Sequence, residues 1–182
     1  MKKTPLNTIA RNRKYVQQIS LCGLLTALML VLGYLESRIP LVPAMPGIKL
    51  GLSNAVLLYA VYWLPASIGV ALMLVKVLLS ALLFGSPMAL AFSLAGGALS
   101  LAGMMAARRW GPFGVVGISV LGAVLHNAGQ LAVAVRLVGN VNLLYYGIVL
   151  MLAGIATGIV TGIVAGLVMK ATGGKASFGG RR

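Results

Sequence analysis

Residues 66–84 read ASIGVALMLVKVLLSALLF, an apolar run whose single charged side chain is Lys76. A helix of this length matches the hydrocarbon core of a bilayer, which takes about 20 residues to cross. The rest of the chain has the same character, because 60% of its 182 residues are hydrophobic and 9% are charged. Soluble domains carry roughly 25% charged residues. The sequence therefore predicts an integral membrane protein.

Five further apolar segments flank this run. The second segment is short and is separated from the third by Pro65, so it predicts either a tight hairpin or a half-length span leading into a full one. We predict an all-α bundle of about six transmembrane helices, in one transmembrane domain over residues 16–170 between a basic tail at 1–15 and a second tail at 171–182. The six segments are 16–35, 51–64, 66–84, 87–107, 113–138 and 143–169.

The basic residues predict the orientation of these helices. With the N-terminus inside the cell, eleven Lys and Arg residues lie in cytoplasmic connections and tails, against three near outer loops. The positive-inside rule then places both termini in the cytoplasm. Topology accounts for the basic excess, so we predict no nucleic-acid partner. The first segment is too long for a signal peptide and lacks a small-residue cleavage site, which predicts a retained helix.

Acidic residues are almost absent. Glu36 is the only one among the 182 residues, and it lies at the outer end of the first segment, where we expect it to pair with Arg38 or Lys49. Magnesium-dependent chemistry on diphosphates needs several carboxylates, and paired acid–base catalysis needs two. One histidine and one cysteine do not make a metal site. The sequence predicts no enzymatic activity, no metal and no cofactor.

Lys76 lies in the middle of its segment, with ten residues before it and eight after it. A lysine at the bilayer centre costs about 2.5–3.5 kcal/mol on insertion scales, and its side chain cannot easily reach the interface from the midpoint. We therefore expect Lys76 to face the protein interior or a wet cavity. An interior cation with no acid nearby predicts an anionic or carbonyl-bearing ligand.

A second polar group lies in the fifth segment, at LHNAGQLAVAVR, residues 125–136. His126, Asn127 and Gln130 are three or four residues apart and fall on one helix face. Arg136 ends the same helix on the outer side. These side chains are candidates for ligand contact, and hydrogen bonding between helices is the alternative.

The start of the second segment, PGIKLGLSNA at residues 46–55, collects Lys49, Ser53 and Asn54 near the outer surface. Gly47 and Gly51 allow a break in the helix, and transporters place binding sites at such breaks. The preceding outer connection, residues 36–49, is rich in proline. It is either a lid over an outward-facing site or a stiff linker in the headgroup region.

Small residues recur at spacings of four, which brings them to one side of a helix. In the sixth segment they predict close packing against a neighbouring helix. A pair of small residues in the first segment is too common a pattern to be informative by itself. The positions are Gly154, Gly158, Gly162 and Gly166 in the sixth segment, and Gly23 and Ala27 in the first.

Three stretches carry a resemblance to a known family: PGIKLGLSNAVLLYAVYWL at 46–64, KVLLSALLFGSPMALAFSLAGG at 76–97, and LHNAGQLAVA at 125–134. Over residues 16–170 the chain resembles the Gx transporter family, also labelled heptaprenyl diphosphate synthase component I. That family is similar to the substrate-binding S components of energy-coupling-factor vitamin transporters, which are six-helix proteins of the bacterial cell membrane that bind a small molecule near the outer face.

The resemblance implies roles for particular residues. Gly23 and Ala27 would match the small-residue motif by which S components contact the membrane coupling protein, which works with ATPases. Relatives are associated with quinone synthesis and flavin-based extracellular electron transfer, so vitamin, flavin, quinone or isoprenoid-like ligands are expected. The implied ligand cavity is lined by Lys49, Asn54, Lys76, His126, Asn127 and Gln130.

Two functions follow as expectations. The first is a substrate-capturing subunit of a multi-subunit importer, whose motor belongs to other subunits because the chain has no Walker motif. The second is a non-transporting scaffold for quinone, prenyl or electron-transfer enzymes. The synthase label itself departs from this sequence, because prenyl-chain elongation uses Asp-rich motifs and the chain has no Asp.

Overall fold

A computed structural model describes residues 5–38, 51–84 and 87–172, and these ranges are almost entirely α-helical. They form six helices, five of which are long and apolar enough to cross a membrane, whereas the second is a shorter apolar helix. This confirms the predicted all-α membrane bundle. The helices are α1 (Pro5–Arg38), α2 (Leu52–Trp63), α3 (Ala66–Phe84), α4 (Pro87–Trp110), α5 (Val115–Val138) and α6 (Leu143–Ala171).

The helix ends differ from the apolar segments mainly where basic residues extend a helix. α1 begins at Pro5, so much of the basic tail continues the same helix as the membrane-spanning part, Tyr15–Glu36. α4 and α6 likewise run on through basic residues in their last turns. Long basic side chains reach the membrane surface without ending a helix, so hydropathy alone places these ends a few residues early.

Proline and glycine set the two ends of α2. Leu64 precedes Pro65 and has extended backbone angles, φ −114° and ψ 155°, because the proline ring disfavours a helical residue before it. At the other end, Gly51 has φ +76°, a left-handed conformation that other residues rarely adopt. These two residues limit α2 to 12 residues, or about 18 Å at 1.5 Å per residue.

The short α2 lies at the centre of the bundle and contacts all five other helices. Leu57, Leu58 and Ala60 are at most 1% exposed. Side chains from every helix pack around them, including those near the end of α4, the start of α5 and the end of α6. The hydrophobic core therefore fills one end of the bundle, and α2 corresponds to the half-length alternative drawn from the sequence.

Glycine brings α4 and α5 into backbone contact. A Cβ atom at Gly129 would lie 2.7 Å from the carbonyl oxygen of Ala95 and 2.9 Å from Cα of Gly96. Atoms that close would clash, so only glycine allows this approach.

α5 and α6 approach each other in the same way. A Cβ atom at Gly158 would lie 2.7 Å from Cα of Val120, and one at Gly162 would lie 2.8 Å from Cα of Val116. Gly154 and Gly166 are also buried. The glycines spaced by four thus line the side of α6 that packs on its neighbours.

Aromatic and basic side chains gather at the end of the bundle that holds the hydrophobic core. The Arg108 guanidinium lies 4.9 Å from the ring centre of Tyr62, which joins the end of α4 to the end of α2. Trp63 and Trp110 are exposed there. Trp, Tyr and Arg are typical of a membrane–water interface, and under the predicted orientation this end faces the cytoplasm.

Candidate functional site

The opposite end of the bundle contains a cavity of about 230 Å³ above the first turn of α2, and all six helices contribute to its walls. Thirteen of the 25 lining residues that the structure describes are polar, which is unusual inside an apolar bundle because buried polar groups cost free energy unless they are hydrogen-bonded. These are Glu36, Ser53, Asn54, Lys76, Ser80, Ser93, Ser100, Ser119, His126, Asn127, Gln130, Thr157 and Thr161.

The first turn of α2 holds both charged residues of this lining. The backbone N–H of Leu52 donates a hydrogen bond to the carboxylate of Glu36 from α1, which is 9% exposed. Two residues further on, the side-chain oxygen of Asn54 accepts a hydrogen bond of 3.1 Å from Nζ of Lys76 on α3. The first N–H groups of a helix have no partner within the helix, so a carboxylate is a favourable neighbour.

α5 supplies the facing wall. The side-chain nitrogen of Gln130 lies 3.1 Å from Nε2 of His126, one helical turn away. With the amide as donor, Nε2 accepts, and the proton of a neutral imidazole is then on Nδ1. This bond fixes the orientation of both side chains along the cavity.

Asn127 connects this wall to α6. Its Nδ2 donates a hydrogen bond of 2.7 Å to the carbonyl oxygen of Leu150. Gly154 makes room for the amide, because a Cβ atom there would lie 2.8 Å from Nδ2. Asn127 therefore lines the cavity and also ties two helices together, which combines the two alternatives drawn from the sequence.

Hydroxyl groups complete the lining. Thr157 and Thr161 donate hydrogen bonds to backbone carbonyls of their own helix, which is the usual arrangement in membrane helices. Ser100 is 2% exposed, and within the described ranges its hydroxyl has no hydrogen-bond partner. A buried hydroxyl costs free energy in that state, so Ser100 Oγ is a natural contact for a bound molecule or water.

Of the residues singled out from the sequence for ligand contact, six line this one cavity: Ser53, Asn54, Lys76, His126, Asn127 and Gln130. Arg136 does not line it and is exposed in the last turn of α5. Lys49 and most of the proline-rich connection lie outside the described residues. Gly23 and Ala27 are exposed on α1.

The sequence did not identify Glu36 as a lining residue. We expected it at the outer helix end, paired with Arg38 or Lys49. Glu36 does lie in the last turn of α1, where its carboxylate accepts from the backbone of α2; Arg38 lies 5.1 Å from the ring centre of Tyr34, and Lys49 lies outside the described residues. Glu36 and Lys76, an acid and a base, therefore both line the cavity. The position in the bundle at which α2 begins brings its first turn to Glu36, and the hydropathy of the sequence does not show that position.

The lining hydroxyls other than Ser53 were also missed. Serine and threonine are common in membrane helices, so single ones carry little information. Thr157 and Thr161 are four residues apart, and Ser93 and Ser100 are seven apart, so each pair recurs on one helix face. That spacing was the available signal.

Comparison with known proteins identifies a family. A family model described as heptaprenyl diphosphate synthase component I matches residues 25–168, which include every described residue that lines the cavity. No curated protein matches the chain significantly, and neither does any solved structure. Within the described ranges, no group of three or more His, Cys, Asp or Glu residues is placed to hold a metal ion.

Proposed function

The chain belongs to the heptaprenyl diphosphate synthase component I family, and from this premise we propose that it captures a small molecule within the membrane for a multi-subunit transporter. The chain itself is a multi-pass membrane protein, and its described residues form six helices.

The single observation that carries the proposal is the polar cavity enclosed by all six helices. A bundle that only packs together gains nothing from thirteen polar side chains around a void, because each one costs desolvation free energy. A bound molecule that hydrogen-bonds to these groups offsets that cost. Small-molecule sites are concave, with a few convergent polar groups, as here.

The lining indicates an anionic or carbonyl-bearing molecule. Lys76 offers a positive charge, and its contact with Asn54 holds the ammonium group in the cavity. His126 and Gln130 add directional hydrogen bonds from the facing wall. Vitamin, flavin, quinone and isoprenoid-like molecules are the candidate ligands.

The family description refers to a synthase, and we propose that this chain does not catalyse prenyl transfer. Glu36 is its only acidic residue. Holding magnesium and diphosphate together takes several carboxylates, as does general acid–base catalysis by a carboxylate pair. The purified chain, given magnesium and an allylic diphosphate with isopentenyl diphosphate, is expected to form no longer prenyl product; elongation above the level of a mock purification would overturn this.

The transporter proposal also assigns a partner face. Gly23 and Ala27 are exposed on α1, and a Cβ atom at Gly23 would meet nothing within 4 Å. A flat face of small residues lets another helix approach closely. We assign this face to a membrane coupling protein that acts with ATPases in the bacterial cytoplasmic membrane.

A second function is a non-transporting membrane scaffold for quinone, prenyl or electron-transfer enzymes. The family description favours it, since it places the family beside prenyl diphosphate synthesis. Partners distinguish the two functions. Gentle purification of the tagged chain, followed by native mass spectrometry, is expected to show a retained small molecule together with an ATPase pair and a coupling protein. Recovery of redox or prenyl enzymes instead would favour the scaffold.

A further inference from the structure

The cavity is long and narrow. On α4 its lining begins at Ala89 and ends at Met104, 15 positions further along the helix. At 1.5 Å per residue this distance is about 22 Å. A volume of about 230 Å³ spread over that length leaves a slender space. A molecule that fills it has to be elongated, so the residues at the deep end bear on the chemistry of its leading end.

Ser100 lies at this deep end, one helical turn below the His126 wall. A Cβ atom at Gly96 would lie 2.8 Å from the carbonyl oxygen of His126, which places these two residues side by side. Ser100 is four residues further along α4, a distance of about 6 Å. Its Oγ faces α5 at Gly122, where a Cβ atom would lie 3.3 Å from it.

The position of Lys76 gives a similar separation from the opposite wall. A Cβ atom at Gly97 would lie 3.2 Å from Sδ of Met73, so these two residues are neighbours across α3 and α4. Met73 comes three residues before Lys76, and Ser100 comes three residues after Gly97. Because α3 and α4 run in opposite directions, the two offsets add to about 9 Å. The cavity therefore has two levels of polar groups, about 6–9 Å apart.

The hydroxyl of Ser100 differs from the other helical hydroxyls of the chain. Serine and threonine in a helix commonly donate to a backbone carbonyl one turn back, as Thr157 and Thr172 do here. Ser100 is 2% exposed, and its Oγ has no hydrogen-bond partner among the residues that the structure describes. Leaving a buried hydroxyl in that state is unfavourable. Since Ser100 lines the cavity, its O–H is placed to donate to a molecule bound there.

The surroundings of this hydroxyl are apolar and adaptable. Met73 and Met104 are 5% and 2% exposed, and both line the cavity. The Sδ atom of Met104 lies 2.8 Å from the position of a Cβ atom at Gly122. Methionine side chains are flexible, and their sulfur atoms make favourable contacts with aromatic rings. The deep end thus suits a slender apolar group, such as a ring, that carries a single hydrogen-bond acceptor.

We propose that the deep end of the cavity is a subsite in which the Ser100 hydroxyl donates to a carbonyl oxygen at the leading end of the ligand. Met73 and Met104 pack against the apolar part that carries this carbonyl. A second polar group of the ligand stays at the level of Lys76 and His126, about 6–9 Å away. The inference rests on the proposed binding function and narrows its ligand class to elongated molecules with polar groups at both ends, which a plain prenyl chain is not.

The test compares two probes of the same shape. 4-Acetylbenzoate has a carboxylate at one end of its ring and a carbonyl at the other, and 4-isopropenylbenzoate has a C=CH₂ group in place of that carbonyl. Titration calorimetry of the detergent-purified full chain measures both dissociation constants. We expect the wild type to bind 4-acetylbenzoate about three- to tenfold more tightly, because the other probe buries the Ser100 hydroxyl without a partner.

Variants assign this preference to one hydroxyl. Ser100→Ala is expected to abolish the preference by weakening the binding of 4-acetylbenzoate alone. Ser100→Cys keeps the size of the side chain with a weaker donor, so a reduced preference is expected, and it serves as the second variant if Ser100→Ala does not fold. Ser67→Ala is the matched control, because Ser67 is exposed on α3 and does not line the cavity. It should retain the full wild-type preference.

The other outcomes count against the inference. Equal binding of the two probes by the wild type would leave the binding function standing and overturn the Ser100 subsite. A preference that persists in Ser100→Ala would place the carbonyl elsewhere and overturn it as well. Equal weakening of both probes in Ser100→Ala would assign the hydroxyl to an ordered water or to packing. Binding of neither probe would count against both the subsite and the proposed binding function.

Discussion

Lys76 of α3 and Asn54 of α2 are joined by a 3.1 Å hydrogen bond from the ammonium nitrogen to the amide oxygen. The bond links the centre of a full-length helix to the first turn of the short central one. It explains how a lysine is tolerated at mid-membrane depth, since an interior ammonium group needs polar partners. It also places the positive charge at the cavity, where a ligand can reach it.

Replacing Lys76 tests the ligand site directly. Lys76→Met keeps the length and apolar stem of the side chain and removes the charge. We expect occupancy by the small molecule that co-purifies with the chain to fall about tenfold or more, because a hydrogen bond to a charged group contributes about 1.5–3 kcal/mol. Native mass spectrometry of wild-type and variant protein measures this occupancy. Equal occupancy in a folded Lys76→Met variant would remove Lys76 from the site.

The contact between α4 and α5 tests the role of glycine in the bundle. Gly129→Ala places a methyl group 2.7 Å from Ala95 O, and overpacking of this kind costs about 1–3 kcal/mol. The melting temperature in detergent is expected to drop. Gly23→Ala is the matched control, because a Cβ atom there meets nothing within 4 Å, and its melting temperature should stay at the wild-type value. A similar melting temperature for both variants would contradict the packing described here.

Asn127 and Gln130 lie on the same wall but should respond differently. Asn127→Ala removes the bond to Leu150 O and is expected to lower stability by about 1 kcal/mol, in line with hydrogen bonds between membrane helices. Gln130→Ala removes a contact within one helix and is expected to reduce ligand occupancy with little change in melting temperature. Thermal melts and native mass spectrometry on both variants make the comparison; the reverse pattern would exchange the two roles.

The exposed face of α1 tests the partner assignment. Gly23→Leu with Ala27→Leu adds bulk to a surface that contacts nothing in the bundle at Gly23. The double variant is expected to fold and keep its small molecule but lose its coupling protein during purification. Leu82→Phe, at an 81% exposed position on α3, serves as a control that keeps the partner. Retention of the partner by the double variant would place the interface elsewhere.

The helices were the most predictable part of this protein. An apolar run such as 66–84 forms an α-helix in lipid, because its backbone N–H and C=O groups must be hydrogen-bonded within the segment. Proline and glycine at positions 65 and 51 marked the ends of the short second helix. These signals are local, and so they are visible in the sequence.

The site was predictable only in part. Lys76 and His126 stand out because polar side chains are rare at mid-membrane depth, and both line the cavity. Glu36 was not identified as a lining residue, because its surroundings depend on where α2 begins inside the bundle. Ser100 carried only a weak signal, its seven-residue spacing from Ser93. Such contacts arise from packing between segments far apart in the chain, which periodicity does not encode.

The tightly packed α2 has an electrical consequence. Its side chains and the core around them lie below the cavity, so we expect the cavity to be a dead-end vestibule and not a water-filled conduit from one face to the other. A membrane containing only this chain should stay as resistive to ions as one without it. Passage of a solute would then require whole helices to move, and we expect partner subunits to supply the free energy for that movement.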